Sequence, residues 1–134
     1  MKYLVDTHTL LWSIVDKGQL SSKVIKILSS PEDNSILVSS VSFWEIAIKS
    51  SIGKLFFEHF DLFKLQEYCA NLGFTIVNLA PQDALSYAKL PIVPNHKDPF
   101  DRILIATAMN NNYTLISKDQ KISQYRQNGL KLLW

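Results

Sequence analysis

The sequence predicts an α/β fold, a parallel sheet with helices packed on both of its faces. Two observations point to it. Short runs such as Tyr3-Leu4-Val5, Ile36-Leu37-Val38 and Tyr113-Thr114-Leu115-Ile116 are almost wholly apolar, as strands buried on both faces must be. Between them lie longer stretches whose apolar residues recur at helical spacing. Such alternation suits a parallel sheet, because each parallel strand needs a crossover connection to reach the next.

The elements follow in order. Tyr3 to Val5 is the first strand and stops at Asp6. Leu10, Leu11, Ile14 and Val15 mark a helix closed by Lys17-Gly18. Ser21 or Ser22 can cap a second helix that turns Val24, Ile25 and Leu28 to one face. After a turn over Pro31 to Ser35 and the Ile36 strand, Val41, Trp44, Ile48 and Ile52 define a helix ending at Gly53. Phe56 to Leu72 is expected to be helical, with Phe60, Phe63, Leu65 and Tyr68 as apolar members, and Phe74 to Val77 to be a strand. Pro81 opens a helix to Leu90 that is expected to turn Ala84, Leu85 and Ala88 inward. A loop from Pro91 to Pro99 leads to an apolar helix, Phe100 to Met109, broken by Asn110 to Asn112. The Tyr113 strand and a last strand, Leu130 to Leu133, complete the chain.

A chain of 134 residues, 47% hydrophobic, accommodates one domain, expected over residues 1–134. Lys and Arg number 14 against 12 acidic residues, a net charge of +2, so overall charge does not by itself argue for nucleic acid. The single cysteine, Cys69, has no disulfide partner within the chain and suits a small buried position in a reducing compartment. Met1 to Val15 carries Asp6 and His8 inside its apolar stretch and no cleavage signal. No apolar run approaches the ~20 residues that cross a bilayer. A cytoplasmic protein with no membrane contact is expected.

In an open parallel sheet, ligands bind beyond the carboxyl ends of the strands. Asp6 follows the first strand, Glu45 lies a turn into the helix after the second, and Asp119 follows the Tyr113 strand. Asp101 opens the helix before that strand. Each also has a purely structural reading. Asp6 can cap the following helix, Ser42 to Glu45 and Asp98 to Asp101 both fit a capping box, and Asp119 can hold a turn. However, Glu45 shares a face with Val41 and Ile48, and Asp101 shares one with Leu104, Ile105 and Ala108. Carboxylates on core-facing stripes need a partner. With no Lys or Arg placed on those stripes, a divalent cation is the expected one. Oxygen donors favour a hard ion, Mg²⁺ or Mn²⁺, and His8, His59 and His96 lack the spacing of a zinc set. His96 is expected to orient its loop, and Asp98 to cap a helix. Such a site suits phosphodiester hydrolysis.

These residues carry a resemblance. Tyr3-Leu4-Val5-Asp6-Thr7-His8, Ser40 to Lys49, His96-Lys97-Asp98-Pro99-Phe100-Asp101-Arg102-Ile103-Leu104-Ile105-Ala106 and Leu115-Ile116-Ser117-Lys118-Asp119 resemble, in order, the four motifs of the PIN-domain family, and within it the VapC-like toxins. The resemblance implies a three-layer α/β/α sandwich with a central parallel sheet. It implies an Mg²⁺- or Mn²⁺-dependent endoribonuclease, with Asp6, Glu45, Asp101 and Asp119 at the acidic positions and Ser117 near the metal. It also implies a homodimer and an inhibitory antitoxin protein, and the site itself is expected to hydrolyse RNA through a metal-activated water.

Lys49, Lys54, Lys97, Arg102 and Lys118 lie near these motifs and are candidate phosphate contacts, Arg102 foremost. Some of the aromatic residues from Phe56 to Phe63 are expected at the surface, facing a dimer mate or antitoxin. A non-catalytic scaffold of the same fold, binding RNA or protein, is the alternative. A phosphatase with Asp6 as nucleophile is disfavoured, because His8 stands where such enzymes resembling the haloacid dehalogenase type carry a second Asp.

Overall fold

A computed structural model describes residues 1–134. Five parallel strands form one sheet: β1 (Lys2–Val5), β2 (Ser35–Ser39), β3 (Thr75–Val77), β4 (Thr114–Ile116) and β5 (Lys131–Leu133). Their spatial order is β3-β2-β1-β4-β5. The chain builds outward from β1 to β3, then returns to the other side of β1 for β4. The order reverses between β1 and β4, where Val5 pairs with Ile116. Six α-helices cover the sheet: α1 (Thr7–Val15), α2 (Ser22–Leu28), α3 (Ser40–Ser51), α4 (Leu65–Asn71), α5 (Pro81–Ser86) and α6 (Pro99–Asn111). A 3-10 segment, Gln120–Asn128, joins β4 to β5.

The strand period of two splits the core between the two faces. Tyr3, Val5, Ile36, Val38 and Ile116 point to one side, where Leu10 and Leu11 of α1, Val24 and Leu28 of α2, and Leu65 and Cys69 of α4 meet them. Leu4, Leu37 and Leu115 point to the other, against Leu104, Ile105 and Ala108 of α6 and Ile122 and Tyr125 of the 3-10 segment. This is the three-layer α/β/α sandwich expected. Cys69 is fully buried, and burial pushes its thiol up to about 11, so it is a core residue rather than a reactive one.

Several local expectations change. Residues 52–61 hold no helix. A 3-10 turn at Leu62–Lys64 precedes α4, so only the end of the expected Phe56 helix forms. Asp61 caps that turn by accepting from the Phe63 amide at 2.9 Å. Helix α5 is shorter than expected and runs into a 3-10 turn at Tyr87–Lys89. Its face is reversed: Ala84, Leu85 and Ala88 are exposed. The buried member is Asp83, whose carboxylate accepts from Asn110 and Asn111 of α6 at 2.6 and 2.9 Å. Trp44 and Ile52, expected on the core stripe of α3, are exposed as well. Helix α3 ends before Gly53, whose φ of 73° only glycine adopts readily, and α6 ends on Asn112 at φ 59°. No helix is long and apolar enough to cross a membrane.

Candidate metal-dependent active site

The carboxyl edge of the sheet between β1 and β4 gathers the predicted residues. Asp6 leaves β1 there, its amide donating to the Ile116 carbonyl of β4 at 3.1 Å. It also caps α1, accepting from the Thr9 amide at 2.8 Å. Structural cap and site residue are therefore the same group. Ser117 follows β4, is buried, and its hydroxyl stands near enough to the Asp6 carboxylate to favour its ionised form. The same hydroxyl accepts from the Asp119 amide at 3.1 Å. Burial pushes the Asp6 carboxyl above its usual range, with Ser117 and Thr9 pulling the other way.

Because α6 runs antiparallel to the strands, its first turn starts at this same edge. Asp98 caps it, accepting from the amides of Phe100 and Asp101 at 2.9 and 3.4 Å, with Pro99 at the first helical position. Asp101 turns inward instead of closing a capping box. Burial, then the charges of Asp98, Asp6, Glu45 and Asp119, pushes its carboxyl up to about 7. Three acidic groups from distant segments, together with Asp98 three residues away, therefore act on one carboxyl. That crowding is what a cation relieves.

Glu45 is buried in the middle of α3, which Ser39 caps by accepting from Val41. The expected capping box at Ser42 does not form. The Glu45 carboxylate instead accepts from the Thr7 hydroxyl at 2.6 Å and from the Lys49 ammonium one turn on. The expectation that no basic residue reaches the Glu45 stripe is corrected: Lys49, at i+4, supplies that charge. Burial alone would lower the Lys49 pKa, yet the bond to Glu45 and the charges of Glu45, Asp98 and Asp101 leave it raised.

Arg102 is also corrected. It is buried, and its guanidinium donates to the Tyr87 hydroxyl at 3.3 Å, the Pro91 carbonyl at 3.0 Å and the Tyr125 hydroxyl at 2.7 Å. These bonds brace the 91–98 loop against α6 and commit Nε and Nη1 to the protein rather than to a phosphate.

Sequence reasoning missed Thr7 and Tyr125 and undervalued His96. Thr7 could have been found from its place beside Asp6; Tyr125 gave no local signal. His96 is buried, its Nδ1 2.9 Å from the Tyr125 hydroxyl and its Nε2 3.6 Å from Asp101 Oδ2. Its Nε2 is the one buried side-chain nitrogen or oxygen without a hydrogen-bond partner. The ligand atoms of His96, Asp101 and Asp119 all lie within 4.8 Å of one another. Asp6 and Glu45 face that group without joining it so tightly. A donor set of crowded carboxylates with one histidine at its margin fits a divalent cation.

The PIN domain profile matches residues 3–128. The chain is 24% identical over 132 residues to Ribonuclease VapC22 of Mycobacterium tuberculosis (strain ATCC 25618 / H37Rv), spanning 98% of this chain and 97% of that protein. Among solved structures it resembles VapBC2 from Rickettsia felis bound to a promoter DNA fragment (TM-score 0.66, 17% identity, 99% of this chain and 98% of that one). It also resembles VapBC-1 from nontypeable Haemophilus influenzae (TM-score 0.63, 20% identity, 99% and 97%). With the sheet order, the edge at which the acids gather and this match along nearly its whole length, the chain belongs to the PIN-domain family.

Proposed function

We propose that this chain is an Mg²⁺- or Mn²⁺-dependent endoribonuclease and the toxin of a toxin–antitoxin pair, acting in the cytoplasm. The observation that carries the reading is geometric: acidic side chains from separate elements converge on one edge of the sheet, where the ligand atoms of Asp101, Asp119 and His96 lie within 4.8 Å of one another. The choice of RNA is supported by the relative named Ribonuclease VapC22, and the antitoxin by the VapBC assemblies that share the fold.

Asp6, Asp101 and Asp119 would hold the cation, with Glu45 joining as Lys49 yields it. A bound divalent cation neutralises carboxylates and lowers the pKa of water it binds. Ser117 and the Thr9 amide orient Asp6, and Thr7 orients Glu45. Lys49, Lys54 and Lys118 stand near the acids in sequence or space and suit the phosphates on either side of the cut.

Two apolar faces suit protein partners. Around Trp44, Leu85, Phe100 and Ile103 lies a recess of about 470 Å³ lined almost wholly by apolar side chains. Trp44 is 62% and Leu85 75% exposed. This face is assigned to a second copy of the chain, because homodimer interfaces are the more apolar kind. Phe56 and Phe63, 87% and 90% exposed, lie on the segment that also carries Lys54 and Leu55, which share a recess with Thr7 and Lys49. An antitoxin seated on those aromatics would continue towards the acids.

The test is cleavage of total cellular RNA by purified, antitoxin-free protein, comparing wild type with Asp6→Asn and Asp101→Asn, with Mg²⁺, Mn²⁺ or EDTA. Cleavage that requires the cation and both carboxylates is expected, leaving 5′-phosphate and 3′-hydroxyl ends. Folded wild-type protein that cuts nothing would return the reading to a scaffold that binds RNA or protein without cleaving it.

A further inference from the structure

A second recess, of about 280 Å³, opens directly beside the acidic site. Five residues line it: Asp6, His8, Trp12, Lys118 and Asp119. Asp6 and Asp119 form its boundary with the metal-binding groups. His8 and Trp12 are one helical turn apart on α1, with ring centroids 5.5 Å apart and planes tilted by 40°. The Lys118 ammonium lies over the Trp12 ring, 5.6 Å from its centroid. Trp12 is held from behind by Trp134, edge-on at 6.0 Å, and packs on the core.

Packing accounts for the rear of Trp12. It does not account for His8, which is exposed, or for the placement of Lys118. His8 also lines a further recess of about 220 Å³ with Thr7, Lys49 and Lys54, so it borders both recesses. Lys54 lines one of them and Lys118 the other.

We propose that His8, Trp12 and Lys118 form a nucleobase subsite, in which the base next to the scissile phosphate stacks on the exposed His8 ring beside Trp12 while Lys118 meets the adjoining phosphate. This rests on the nuclease reading and adds to it where the substrate is gripped. The chemistry of the recess selects the ligand. An apolar group would strip water from Lys118 and Asp119 without replacing it. An arginine side chain from a partner protein would be drawn to Asp6 and Asp119, but a cation held by those carboxylates and the Lys118 ammonium would both repel it. With Asp6 and Asp119 facing the cation, a base with its phosphate suits the remaining walls, since any base offers a face for stacking and the phosphate answers Lys118. Asp6 and Asp119 border both the recess and the metal group, so a phosphate at the metal leaves the neighbouring base within reach.

The test is binding of single-stranded RNA hexamers and of an abasic ribose-phosphate hexamer to the full chain, with Ca²⁺ in place of Mg²⁺. Fluorescence anisotropy and tryptophan quenching are the readouts. His8→Ala should weaken base-containing hexamers about tenfold and leave the abasic one unchanged. Lys118→Ala should weaken both and reduce the salt slope by about one. Trp12→Phe, which keeps an aromatic in the core, should remove most of the quenching. Equal effects of His8→Ala on both oligomers, or none on either, would overturn the subsite while wild-type binding left the nuclease reading intact. Absence of any wild-type binding would overturn both, and is distinguishable for that reason.

Discussion

His96 Nε2 lies 3.6 Å from Asp101 Oδ2, and the other side of the same ring is held by the Tyr125 hydroxyl. Tyr125 already accepts from Arg102 at 2.7 Å. Its own proton is satisfied best by donation to His96 Nδ1, which leaves the ring proton on Nε2, directed at Asp101. Arg102, Tyr125 and His96 thus form a chain whose last member faces the Asp101 carboxylate. Long-range ¹H–¹⁵N spectra should find the His96 proton on Nε2, both without metal and with Mg²⁺. His96→Ala and Tyr125→Phe should each reduce Mn²⁺ affinity by roughly 10- to 100-fold, as loss of groups behind a ligand does. A proton found on Nδ1, with Nε2 bare, would make His96 a ligand instead.

The crowded carboxylates make stability depend on pH and metal together. Asp101 and Asp6 are raised above 3.8 in the metal-free fold, Asp101 to about 7. The folded state therefore holds these protons more tightly than the unfolded chain does. This contribution is complete below about 3.8 and is lost as pH rises through about 7. A cation binds the ionised forms and reverses the trend. The rise in melting temperature on adding Mn²⁺ should be larger at about pH 8 than at about pH 5. Equal rises at both, or none, would mean that these groups do not bind the metal.

Lys49 occupies Glu45 as a built-in cation. Lys49→Ala removes that charge, so Mn²⁺ should bind severalfold more tightly by calorimetry. The metal-free fold should lose about 1 kcal/mol, a modest figure because the ammonium is partly solvated and Thr7 still donates to Glu45. Weaker Mn²⁺ binding in this variant would show that Lys49 supports the site rather than competing for it.

The two apolar faces should separate by mutation. Leu85→Glu should convert a dimer to a monomer in sedimentation experiments and leave antitoxin binding in place. Phe63→Glu should do the reverse. Both side chains are exposed, so neither change should lower the melting temperature by more than a degree or two. If Leu85→Glu leaves the dimer intact, the Trp44–Leu85 face serves another partner.

Much of this was legible before any coordinates. The strands were marked by apolar runs, and three of the four acids by standing just beyond a strand end or at the start of a helix that returns to it. Glu45 was reached through its stripe with Val41 and Ile48, although the capping box proposed for it does not exist. The errors are also particular. Phe56 to Leu72 has the aromatic density of a helix, but Asp61 supplies a cap that starts the turn late. In α5, the small apolar residues Ala84 and Leu85 suggested an inward face, while the buried one is Asp83, which finds two amides on α6.

The sequence by itself determined the α/β class, the sheet's buried strands and the edge at which Asp6, Glu45, Asp101 and Asp119 gather. These follow from local periodicity and from which residue ends each element. Tertiary structure alone decided which charge meets which. Arg102 and Lys49 looked alike as candidate phosphate contacts, yet in the metal-free fold one is bonded to Tyr125 and the other to Glu45. Hydrophobic pattern is written along the chain at periods of two and 3.6. A partner for a buried charge is set by segments far apart in sequence, as Arg102 and Tyr125 are, and by burial that makes an unpaired charge too unfavourable to keep.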